Sequence, residues 1–598
     1  MRATKPRRWV GFDTETFRGQ VKLLAASTGQ YVESPTTEVA IDFIYRQLPS
    51  IHDAGTFYNL RFDVSAILRG AATSDPDGVR SGDFYVGNYR VHHVAGKALV
   101  IGPKNGGSLS AVYVYDSAQF YPGGLDRAAL SVLGIGKNAG ELGIDRVKIG
   151  NEPGYYEAHR DNIIRYCIRD AELAARLMER FQADVGETVG VYPASWYSGA
   201  SIAKSVLAET WVNPYYDWPV ELIDDSVAAF SGGIFDTRIL GRVEGACEYD
   251  INAAYPYAIS RLPDISKPVP VSIRTEGVAL GLYLVKVRYD GLLPYRMPDR
   301  KTIIYPISST PLLAWLYDVE LPDYPDAEIV RGWEFDTSGT FPFTVRVRRL
   351  YNLRRTLKAA ADPREGAVKV AANSLFGAFA ETKYGWTRFT NLVYAGRITA
   401  TTRHQIRVLL RNTDIPPVSV ATDSVTFAGS AEYEESDALG CLKKTISDAE
   451  IVSYANGIRI IDGRIAKVRG LPRKVTNDGK ERWLKASDFL SARGDVLSLT
   501  GTGPLPLLSG IVQGRQSEIA SWVDIPKKVS LSANMIRGVP DGPLTFEYLK
   551  DHRVNLTRQV VAADPTFKRL TPSQVVALGN DQYPGPFRIE ELTEEADQ

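Results

Sequence analysis

Two aspartates, each at the end of an apolar strand pattern, constrain this chain more than any other feature of its sequence. The segment YDINAAYPYAIS, residues 249–260, is typical of a buried strand that turns into a helix, and Asp250 ends the strand. In VSVATDSVTFAG, residues 418–429, β-branched residues predict two short strands joined by a tight turn that carries Asp423. Carboxylates at neighbouring strand ends could hold two divalent ions about 4 Å apart, as in-line attack on phosphorus requires. Taken alone, Asp250 is equally well explained as a helix cap.

The first 170 residues contain a second set of candidate site residues, four acids and a tyrosine. Its members are Asp13 and Glu15 in WVGFDTET, Asp63 in FYNLRFDVSAIL, and Tyr166 and Asp170 in IIRYCIRDAEL. The period of two in a strand puts Asp13 and Glu15 on one face, and the spacing i, i+4 puts Tyr166 and Asp170 on one face of a helix. Each pair alone fits an exposed surface. Together they are typical of a two-metal hydrolase with a phenol that orients the attacking water.

A basic segment lies between the two aspartates of the first set. VRVRRLYNLRRTLK, residues 345–358, predicts a helix, and KVAANSLFG follows it at residues 369–377. Basic helices are usually only solvated faces. Here Lys369 and Asn373 share a helix face, which suits a triphosphate that approaches the two acids.

The length and composition of the chain limit the number of domains and the kinds of metal site that we expect. A chain of 598 residues predicts three to five domains, and 70 basic against 70 acidic residues give no global signal for nucleic acid. The three cysteines have no paired spacing, so neither a disulfide framework nor a zinc site is indicated. Metals would be held by carboxylates, which favours Mg²⁺ or Mn²⁺. Without a long apolar run or a signal-peptide core, we expect a cytoplasmic protein with no membrane partner, in the host cytoplasm if the source is viral.

The motifs resemble those of family B DNA polymerases. DINAAYP, KVAANSLFG and ATDS stand in the order of motifs A, B and C, and the upstream acids resemble the DEDDy 3′–5′ exonuclease that precedes these polymerases. The likeness covers residues 10 to about 470, and motif A is most similar to the protein-primed branch of bacteriophages and linear plasmids. It implies an α/β multidomain fold, with an RNase H-like exonuclease followed by a right-hand polymerase. The implied domains are exonuclease 1–188, palm with motif A 189–275, a β-rich insertion 276–342, fingers with motif B 343–390, palm with motif C 391–475, and thumb with the C-terminal tail 476–598.

The resemblance also implies roles in the exonuclease. The implied metal ligands are Asp13, Glu15, Asp63 and Asp170, Tyr166 would position the nucleophile, and the single-stranded 3′ end would be held by Thr16, Asn59, Phe62 and Ser117. The family has a catalytic lysine between the second and third blocks. Lys137 and Lys148 both lie in that interval, and the sequence leaves the choice open.

In the polymerase the resemblance implies a second set of roles. Metal binding falls to Asp250, Asp423 and the Ile251 carbonyl, and Tyr255 would exclude the ribose 2′-hydroxyl. The incoming nucleotide would meet Lys369 and Asn373, with its phosphates on Arg354, Arg355 or Lys358. DNA would be contacted by Gly232 and Gly233 of FSGGIF, by Phe376, and by Lys467 and Arg469. Two positions depart from the family: Ala421 stands where motif C commonly has a first acid, and Phe376 replaces a tyrosine.

These observations favour a template-directed DNA polymerase with a proofreading exonuclease, using two Mg²⁺ or Mn²⁺ ions per active site on primer-template DNA and dNTPs. Two alternatives remain: a DNA-processing exonuclease with a degenerate polymerase domain, because of Ala421, and a non-enzymatic replication scaffold, because of the zero net charge. A terminal protein is a candidate partner, and the sequence leaves the priming mode open. Between Gly377 and the helix ITATTRHQIRVLL there is room for only a two-stranded link of about five residues per strand. Protein-primed polymerases commonly carry an inserted β-hairpin between motifs B and C that forces the downstream strands apart. The resemblance, with no room for such a hairpin, therefore implies weak strand displacement and a need for a helicase or single-strand-binding protein.

Overall fold

The computed structural model describes residues 6–530 apart from 107–109, 122, 209–210, 212, 214, 297–302, 307, 309, 383–386, 456, 469–470, 472–473, 478–479 and 486–495, together with residues 559–560. These residues pack into two compact units. The first contains the described residues of Met1–Glu209, Asn352–Leu375 and Thr502–Ile525, and the second those of Thr210–Tyr351, Phe376–Gly501 and Pro526–Gln598. Residues 352–375, expected in the fingers, thus belong to the same unit as the predicted exonuclease. The other domain boundaries stay predictions.

The described residues up to Ala208 form both strands and helices. The strands are β1 (Arg8–Phe17), β2 (Gln20–Ala26), β3 (Tyr31–Glu33), β4 (Asp53–Phe57), β5 (Asp83–Val86), β6 (Tyr89–Val94), β7 (Ala98–Pro103) and β8 (Val112–Asp116). The helices are α1 (Thr37–Arg46), α2 (Leu60–Ile67), α3 (Arg69–Ser74), α4 (Pro76–Ser81), α5 (Leu125–Leu133), α6 (Arg146–Asn151), α7 (Tyr155–Ala158), α8 (Arg160–Thr188) and α9 (Gly199–Ala208).

An eight-stranded sheet in the order β3-β2-β1-β4-β8-β7-β6-β5 forms the centre of the first unit. β1 is antiparallel to β2 and parallel to β4, and β4 is parallel to β8. One face packs on α1 to α4 through residues such as Phe12 and Phe57, and Leu23 and Ala25 of β2 pack against α8 in a separate cluster. This mixed central sheet with helices on both faces agrees with the RNase H-like fold that we expected.

The remaining elements begin at residue 220. The strands are β9 (Phe235–Thr237), β10 (Ile239–Ile251), β11 (Ile265–Val271), β12 (Gly281–Val287), β13 (Tyr295–Arg296), β14 (Ile303–Ile304), β15 (Leu312–Tyr317), β16 (Glu328–Thr337), β17 (Pro417–Ala421), β18 (Ser424–Phe427), β19 (Leu442–Ala455), β20 (Ile458–Ile461), β21 (Arg464–Val468), β22 (Lys474–Asn477), β23 (Lys480–Trp483), β24 (Val496–Pro504), β25 (Trp522–Ser530) and β26 (Gln559–Val560). The helices are α10 (Val220–Ala229), α11 (Ala254–Ser260), α12 (Thr344–Ala359), α13 (Glu365–Asn373), α14 (Leu375–Ala380), α15 (Leu392–Arg411) and α16 (Leu507–Val512).

The second unit is built on a sheet in the order β21-β20-β19-β10-β18-β17-β9, with β26 paired to β10. Its apolar face, which includes Tyr249, Val425 and Phe427, packs against Ile406 of α15. A separate four-stranded sheet has the order β11-β16-β12-β15, and β13 pairs with β14. Strands β12 to β16 lie within residues 276–342, so the β-rich prediction for that segment is confirmed.

The link between α14 and α15 differs from the expected pair of strands. The described residues of this link, 381–382 and 387–391, contain no strand, and residues 383–386 lie outside the described part of the chain. The Thr390 hydroxyl donates to the Glu381 carbonyl at 2.8 Å, and the Thr387 amide donates to the Thr390 hydroxyl at 2.9 Å. A side chain thus satisfies backbone groups that a strand partner would otherwise have bonded.

Over the same described residues, no helix is both long and apolar enough to cross a membrane.

Candidate active sites

Asp250 and Asp423 lie on adjacent antiparallel strands of the second unit. Asp250 is opposite Ser424 in the pairing of β10 with β18, and the Ile251 amide donates to the Asp423 carbonyl at 2.8 Å. Thr422 has a φ of 66°, which makes the tight turn between β17 and β18. The predicted placement of both acids at neighbouring strand ends is therefore confirmed. Both side chains are half-buried, at an edge where carboxylates could meet a ligand.

Gly233 packs directly against this turn. A Cβ added to Gly233 would lie 2.7 Å from Thr422 Cγ2, and the Thr422 amide donates to the Ile234 carbonyl at 2.7 Å. An added Cβ on Gly232 would meet no described atom within 4 Å. Of the paired glycines in FSGGIF, only Gly233 is required by a close approach of the backbone.

Tyr255, near the start of α11, is held from two sides. The Gly233 amide donates to its hydroxyl. Its ring lies 4.5 Å from the ring of Phe376 between centroids, at an angle of 43°. Burial and the nearby Asp423 carboxylate raise the pKa of the Tyr255 phenol. The ring is therefore fixed beside Asp423, and its role in sugar selection stays a prediction.

A buried arginine on α15 supports the Gly232-Gly233 segment. Arg403 Nη1 donates to the carbonyls of Ser231 and Gly232, both at 2.9 Å, and its other nitrogens donate to Glu320 at 3.0 Å. Arg407 also donates to Glu320, at 2.9 Å, and both residues have fully buried side chains. Burial raises the pKa of Glu320, but Arg403 and Arg407 outweigh it and hold the pKa below its ordinary value. The sequence analysis missed this cluster, because Glu320 and the arginines are more than 80 residues apart.

The nucleotide-binding candidates lie on helices of the first unit. Lys369 and Asn373 are both exposed on α13, which confirms the helical spacing that we predicted. Arg354 forms an ion pair with Glu365 at 2.7 Å, whereas Arg355 and Lys358 are exposed. Their role toward a triphosphate stays a prediction.

The structure describes the candidates for primer contact, Lys467 and Arg469, only in part. Lys467 lies in β21 opposite Arg459, and its side chain and all of Arg469 lie outside the described residues. Arg459 is buried and forms an ion pair with Glu248 at 2.6 Å. Arg459 therefore belongs to the interior of the sheet.

The acids of the first unit converge where α8 crosses β1. A Cβ on Gly11 would lie 1.8 Å from the Ala171 carbonyl oxygen, so glycine allows this helix to approach the strand closely. The ligand atoms of Asp13, Glu15 and Cys167 lie within 4.8 Å of one another. Cys167 was not among the predicted site residues, because a lone cysteine has no spacing signal.

The structure distinguishes between the two candidate lysines. Lys137 Nζ donates to the Tyr166 hydroxyl at 3.0 Å and forms an ion pair with Asp170. Burial lowers the pKa of Lys137, but Asp170 and Asp13 outweigh it, so that pKa is raised and the lysine stays charged. Lys148 forms an exposed ion pair with Glu152 at 3.4 Å. Lys137 is therefore the lysine of this cluster.

Burial raises the pKa of every carboxyl in the cluster, and repulsion from neighbouring acids of the cluster also raises the pKa of Asp13 and Glu15. Burial raises the pKa of Asp13 well above its ordinary value, and the charges of Asp170, Glu15 and Asp63 raise it further. Burial and the charge of Asp170 raise the pKa of Glu15 to about 8. Burial raises the pKa of Asp63 to about 7, and it also raises that of Asp170. A divalent cation would relieve this repulsion.

The hydrogen bonding of the Asp170 carboxylate indicates whether the cluster fits a metal ion. Its side chain is 2% exposed, and one oxygen, Oδ2, pairs with Lys137. The other, Oδ1, is buried and has no hydrogen-bond partner among the residues that the structure describes. A buried oxygen left in this state costs about 1–3 kcal/mol, and carboxylate oxygens are the ligands that Mg²⁺ and Mn²⁺ prefer. The residues therefore fit such an ion.

The residues predicted to hold a DNA 3′ end divide into two groups. Thr16 and Phe62 are half-buried and Asn59 is exposed, at the end of β1 and the start of α2. Ser117 is fully buried, and its hydroxyl donates to the Phe57 carbonyl at 3.0 Å. The Ser117 hydroxyl thus fixes the end of β4 from inside, and a contact of Ser117 with DNA stays a prediction. Thr14, which we did not predict, donates to Asp63 Oδ1 at 2.6 Å and orients that acid.

Comparison with known proteins identifies the fold. No protein-family model matches the chain. The DNA polymerase of Acidianus bottle-shaped virus (isolate Italy/Pozzuoli) is 28% identical over 40% of this chain and 40% of its own length. The match thus spans less than half of that relative.

Solved structures give a longer match. Phi29 DNA polymerase complexed with primer-template DNA and incoming nucleotide substrates aligns with a TM-score of 0.60 and 15% identity, over 88% of this chain and 100% of that one. Phi29 DNA polymerase complexed with single-stranded DNA aligns with a TM-score of 0.56 and 14% identity, over the same shares. This chain therefore has the fold of phi29 DNA polymerase.

Proposed function

We propose that this protein is a template-directed DNA polymerase with a separate 3′–5′ exonuclease site. The observation that carries the proposal is the pair Asp250 and Asp423, held on neighbouring strands by the Ile251–Asp423 backbone bond of 2.8 Å. The fold similarity and the partial similarity to a viral DNA polymerase both support this reading.

In the polymerase site, Asp250, Asp423 and the Ile251 carbonyl would hold two Mg²⁺ or Mn²⁺ ions. Such ions, when bound, lower the pKa of a primer 3′-hydroxyl and neutralise charge on the triphosphate. Tyr255, held by Gly233 and Phe376, would close the space beneath C2′ of the sugar. A dNTP fits that space, and a ribonucleotide brings an additional hydroxyl against the ring.

Lys369, Asn373, Arg355 and Lys358 are proposed to contact the incoming nucleotide. Their exposure leaves these side chains accessible to a phosphate. Arg354 would have to exchange Glu365 for a phosphate oxygen before it could take part. Among the three basic candidates on α12, Arg355 and Lys358 are therefore the better phosphate ligands.

In the exonuclease site, Asp13, Glu15, Asp63 and Asp170 would hold the divalent ions. The Tyr166 hydroxyl accepts a hydrogen bond from Lys137 and donates one to Asp170, and it is proposed to orient a water molecule toward the terminal phosphodiester. The charged Lys137 would stabilise negative charge that develops on that phosphate. Thr16, Asn59 and Phe62 are proposed to hold the single-stranded 3′ end.

The proposed partners follow from the substrates and from the fold. Primer-template DNA and dNTPs are proposed as substrates, and a terminal protein as a candidate primer. The short link between α14 and α15 supports a further proposal, that strand displacement needs a helicase or single-strand-binding protein. Synthesis on a primed minicircle by the purified protein tests this point, and products many circle-lengths long would contradict it.

The proposed activity is tested with a labelled primer annealed to a template, with and without dNTPs. We expect extension with dNTPs and shortening without them. Shortening in both conditions would favour the processing nuclease with a degenerate polymerase domain. A shift in gel mobility with no change of primer length would favour the replication scaffold.

A further inference from the structure

The segment of residues 505–521 packs into the core of the first unit, beside elements that carry the proposed exonuclease acids. Its most buried apolar side chains share one hydrophobic cluster with residues of β1 and α2, and each is 2% exposed or less: Leu507, Ile519 and Ala520. The Leu507 amide donates to Ser65 Oγ at 3.2 Å, and Ser65 lies two residues after Asp63 on α2. A distant part of the chain therefore supports the helix that carries Asp63.

The same segment covers the turn that joins β1 to β2. A Cβ added to Gly19 would lie 2.6 Å from the Ile519 carbonyl oxygen and 2.6 Å from the Ser521 amide nitrogen, so glycine is needed at this close approach. Arg18, which precedes it, has a φ of 48°. This left-handed conformation is unfavourable for a residue with a long side chain. The turn must therefore be held by its surroundings.

Three other parts of the first unit hold the backbone of Arg18. Its amide donates to the Gly150 carbonyl at 3.0 Å. Its carbonyl accepts from Arg69 Nη1 at 2.8 Å and from Ser521 Oγ at 2.7 Å. Arg69, the first residue of α3, also donates through Nη2 to the Ser517 carbonyl. One guanidinium therefore ties the strained turn to the segment 505–521.

The turn lies close to Glu15 along the same strand. Glu15 is three residues before Arg18, and the pairing of β1 with β2 shifts its register between Glu15 and Thr16. A shift of this kind interrupts the ladder and changes the direction of the neighbouring side chains. The ladder alone therefore does not fix the end of β1, and the anchor at Arg18 holds the strand on the far side of the irregularity.

We propose that Arg69 is a positioning residue of the exonuclease site. It holds the Arg18 backbone against the segment 505–521, and this contact keeps Glu15 and Thr16 in place relative to Asp63 on α2. The role rests on the proposed exonuclease function. Because Arg69 acts through the backbone that carries Glu15, its loss should weaken the hold on divalent ions and slow cleavage more than it weakens the binding of DNA.

Degradation of a labelled single-stranded oligonucleotide tests this role, with the maximal rate, the KM for DNA and the half-saturating Mg²⁺ concentration measured for each protein. Arg69→Ala should lower the maximal rate at least about tenfold and change the KM less than about threefold. The half-saturating Mg²⁺ concentration should rise at least about tenfold. Arg69→Lys can still donate to the Arg18 carbonyl and should recover most of the rate. A rate within about twofold of the parent, or an unchanged Mg²⁺ midpoint, in Arg69→Ala would overturn the proposal.

Arg90 provides the matched control. It lies in the first unit and donates to Asp83 at 2.9 Å in an exposed ion pair, so Arg90→Ala also removes one arginine. The rate should change less than about twofold. A loss in Arg90→Ala equal to that in Arg69→Ala would contradict a specific role for Arg69.

A second substitution separates positioning from a general loss of stability. Glycine adopts the left-handed conformation without strain, so Arg18→Gly should make the turn less dependent on Arg69. We expect Arg69→Ala to reduce the rate at least about threefold less in the Arg18→Gly protein than in the parent. An equal reduction in both backgrounds would contradict the proposed role.

Hydrogen–deuterium exchange of peptides that cover residues 14–22, without Mg²⁺, tests the anchor independently of activity. Exchange should be faster in Arg69→Ala and unchanged in Arg90→Ala, and equal exchange in Arg69→Ala and the parent would overturn the proposal. Arg69→Gln serves if the alanine protein is not folded by circular dichroism. Degradation by the parent that Arg69→Ala leaves intact refutes this inference alone. Absence of degradation by the parent refutes the proposed exonuclease, and the role of Arg69 with it.

Discussion

The backbone amide of Ile251 donates a hydrogen bond to the carbonyl oxygen of Asp423, with 2.8 Å between nitrogen and oxygen. The bond joins the segment DINAAYP to the segment ATDS through main-chain atoms. It therefore keeps Asp250 and Asp423 in register whatever their side chains carry. Substitutions at these two acids should change chemistry with little effect on the sheet.

Sugar selection should depend on both the ring and the hydroxyl of Tyr255. Tyr255→Val removes the bulk that would meet a 2′-hydroxyl, and discrimination against ribonucleotides should fall more than about tenfold. Tyr255→Phe keeps the contact with Phe376 but loses the bond from Gly233, worth about 1 kcal/mol, so a decrease of about fivefold is expected. Single-nucleotide kinetics with dNTP and rNTP measure both ratios. Unchanged ratios would mean that Tyr255 only packs in the core.

Substitutions of Lys137 and Lys148 give a matched pair of variants that tests which lysine acts in the proposed exonuclease. Lys137→Met removes the charge beside Tyr166 and Asp170, and the rate of DNA degradation should fall about 10²–10³-fold. Lys148→Met removes an exposed ion pair and should change the rate less than about twofold. Single-turnover degradation of a labelled oligonucleotide measures both rates. A larger loss in Lys148→Met would assign the role to the other lysine.

The pH dependence of stability should report the buried acids. In the folded protein the pKa of Glu15 is raised from 4.5 to about 8 and that of Asp63 from 3.8 to about 7. Because the folded state prefers their protonated forms, their contribution is fully present below about pH 4 and is lost as the pH rises through about 7–8.

Thermal unfolding without divalent ions checks this expectation. Glu15→Gln with Asp63→Asn should flatten the decrease in unfolding temperature between about pH 5 and pH 8.5. Mg²⁺ should raise the unfolding temperature of the parent protein more at the higher pH, because fewer protons then compete for the carboxylates. Parallel pH curves for parent and variant would show that these acids ionise normally in the folded state.

Substitution of Ala421, which stands where motif C of family B polymerases commonly has an acid, tests whether a charge at this position affects Mg²⁺ binding. It lies opposite Ser424 and Phe235 in the sheet and is half-buried. Ala421→Asp places a charge close to the proposed ions, and a Coulomb attraction of at least about 1 kcal/mol should lower the Mg²⁺ concentration for half-maximal extension about fivefold. Ala421→Asn adds similar volume without charge and is the control. Identical Mg²⁺ titrations for the two variants would show that position 421 does not act on the metal site.

The sequence was informative where local geometry fixes a side chain. The period of two in β1 was enough to put Asp13 and Glu15 together, and the strand-turn-strand pattern was enough to locate Asp423. Tertiary contacts were not predictable in this way. The choice of Lys137 over Lys148 depends on how the segment before α6 folds back onto α8, and no local pattern encodes that path.

The burial of individual side chains was a second property that could not be predicted from the sequence. Ser117 follows a strand end, as an exposed ligand would, but it is enclosed by its bond to Phe57. Cys167 has no partner in the sequence, and only the approach of α8 at Gly11 brings it to Asp13. The packing of residues 352–375 in the first unit was likewise hidden, because a basic amphipathic segment does not specify which surface it covers.

The most direct test of two separate active sites uses one primer-template with a mismatched 3′ end. Asp250→Asn should reduce extension at least about 10³-fold and leave removal of the mismatch nearly unchanged, while Asp13→Asn with Asp170→Asn should do the reverse. Single-turnover rates of extension and removal are measured for each protein after circular dichroism confirms its fold. Loss of both activities in a folded Asp250→Asn protein would contradict the account.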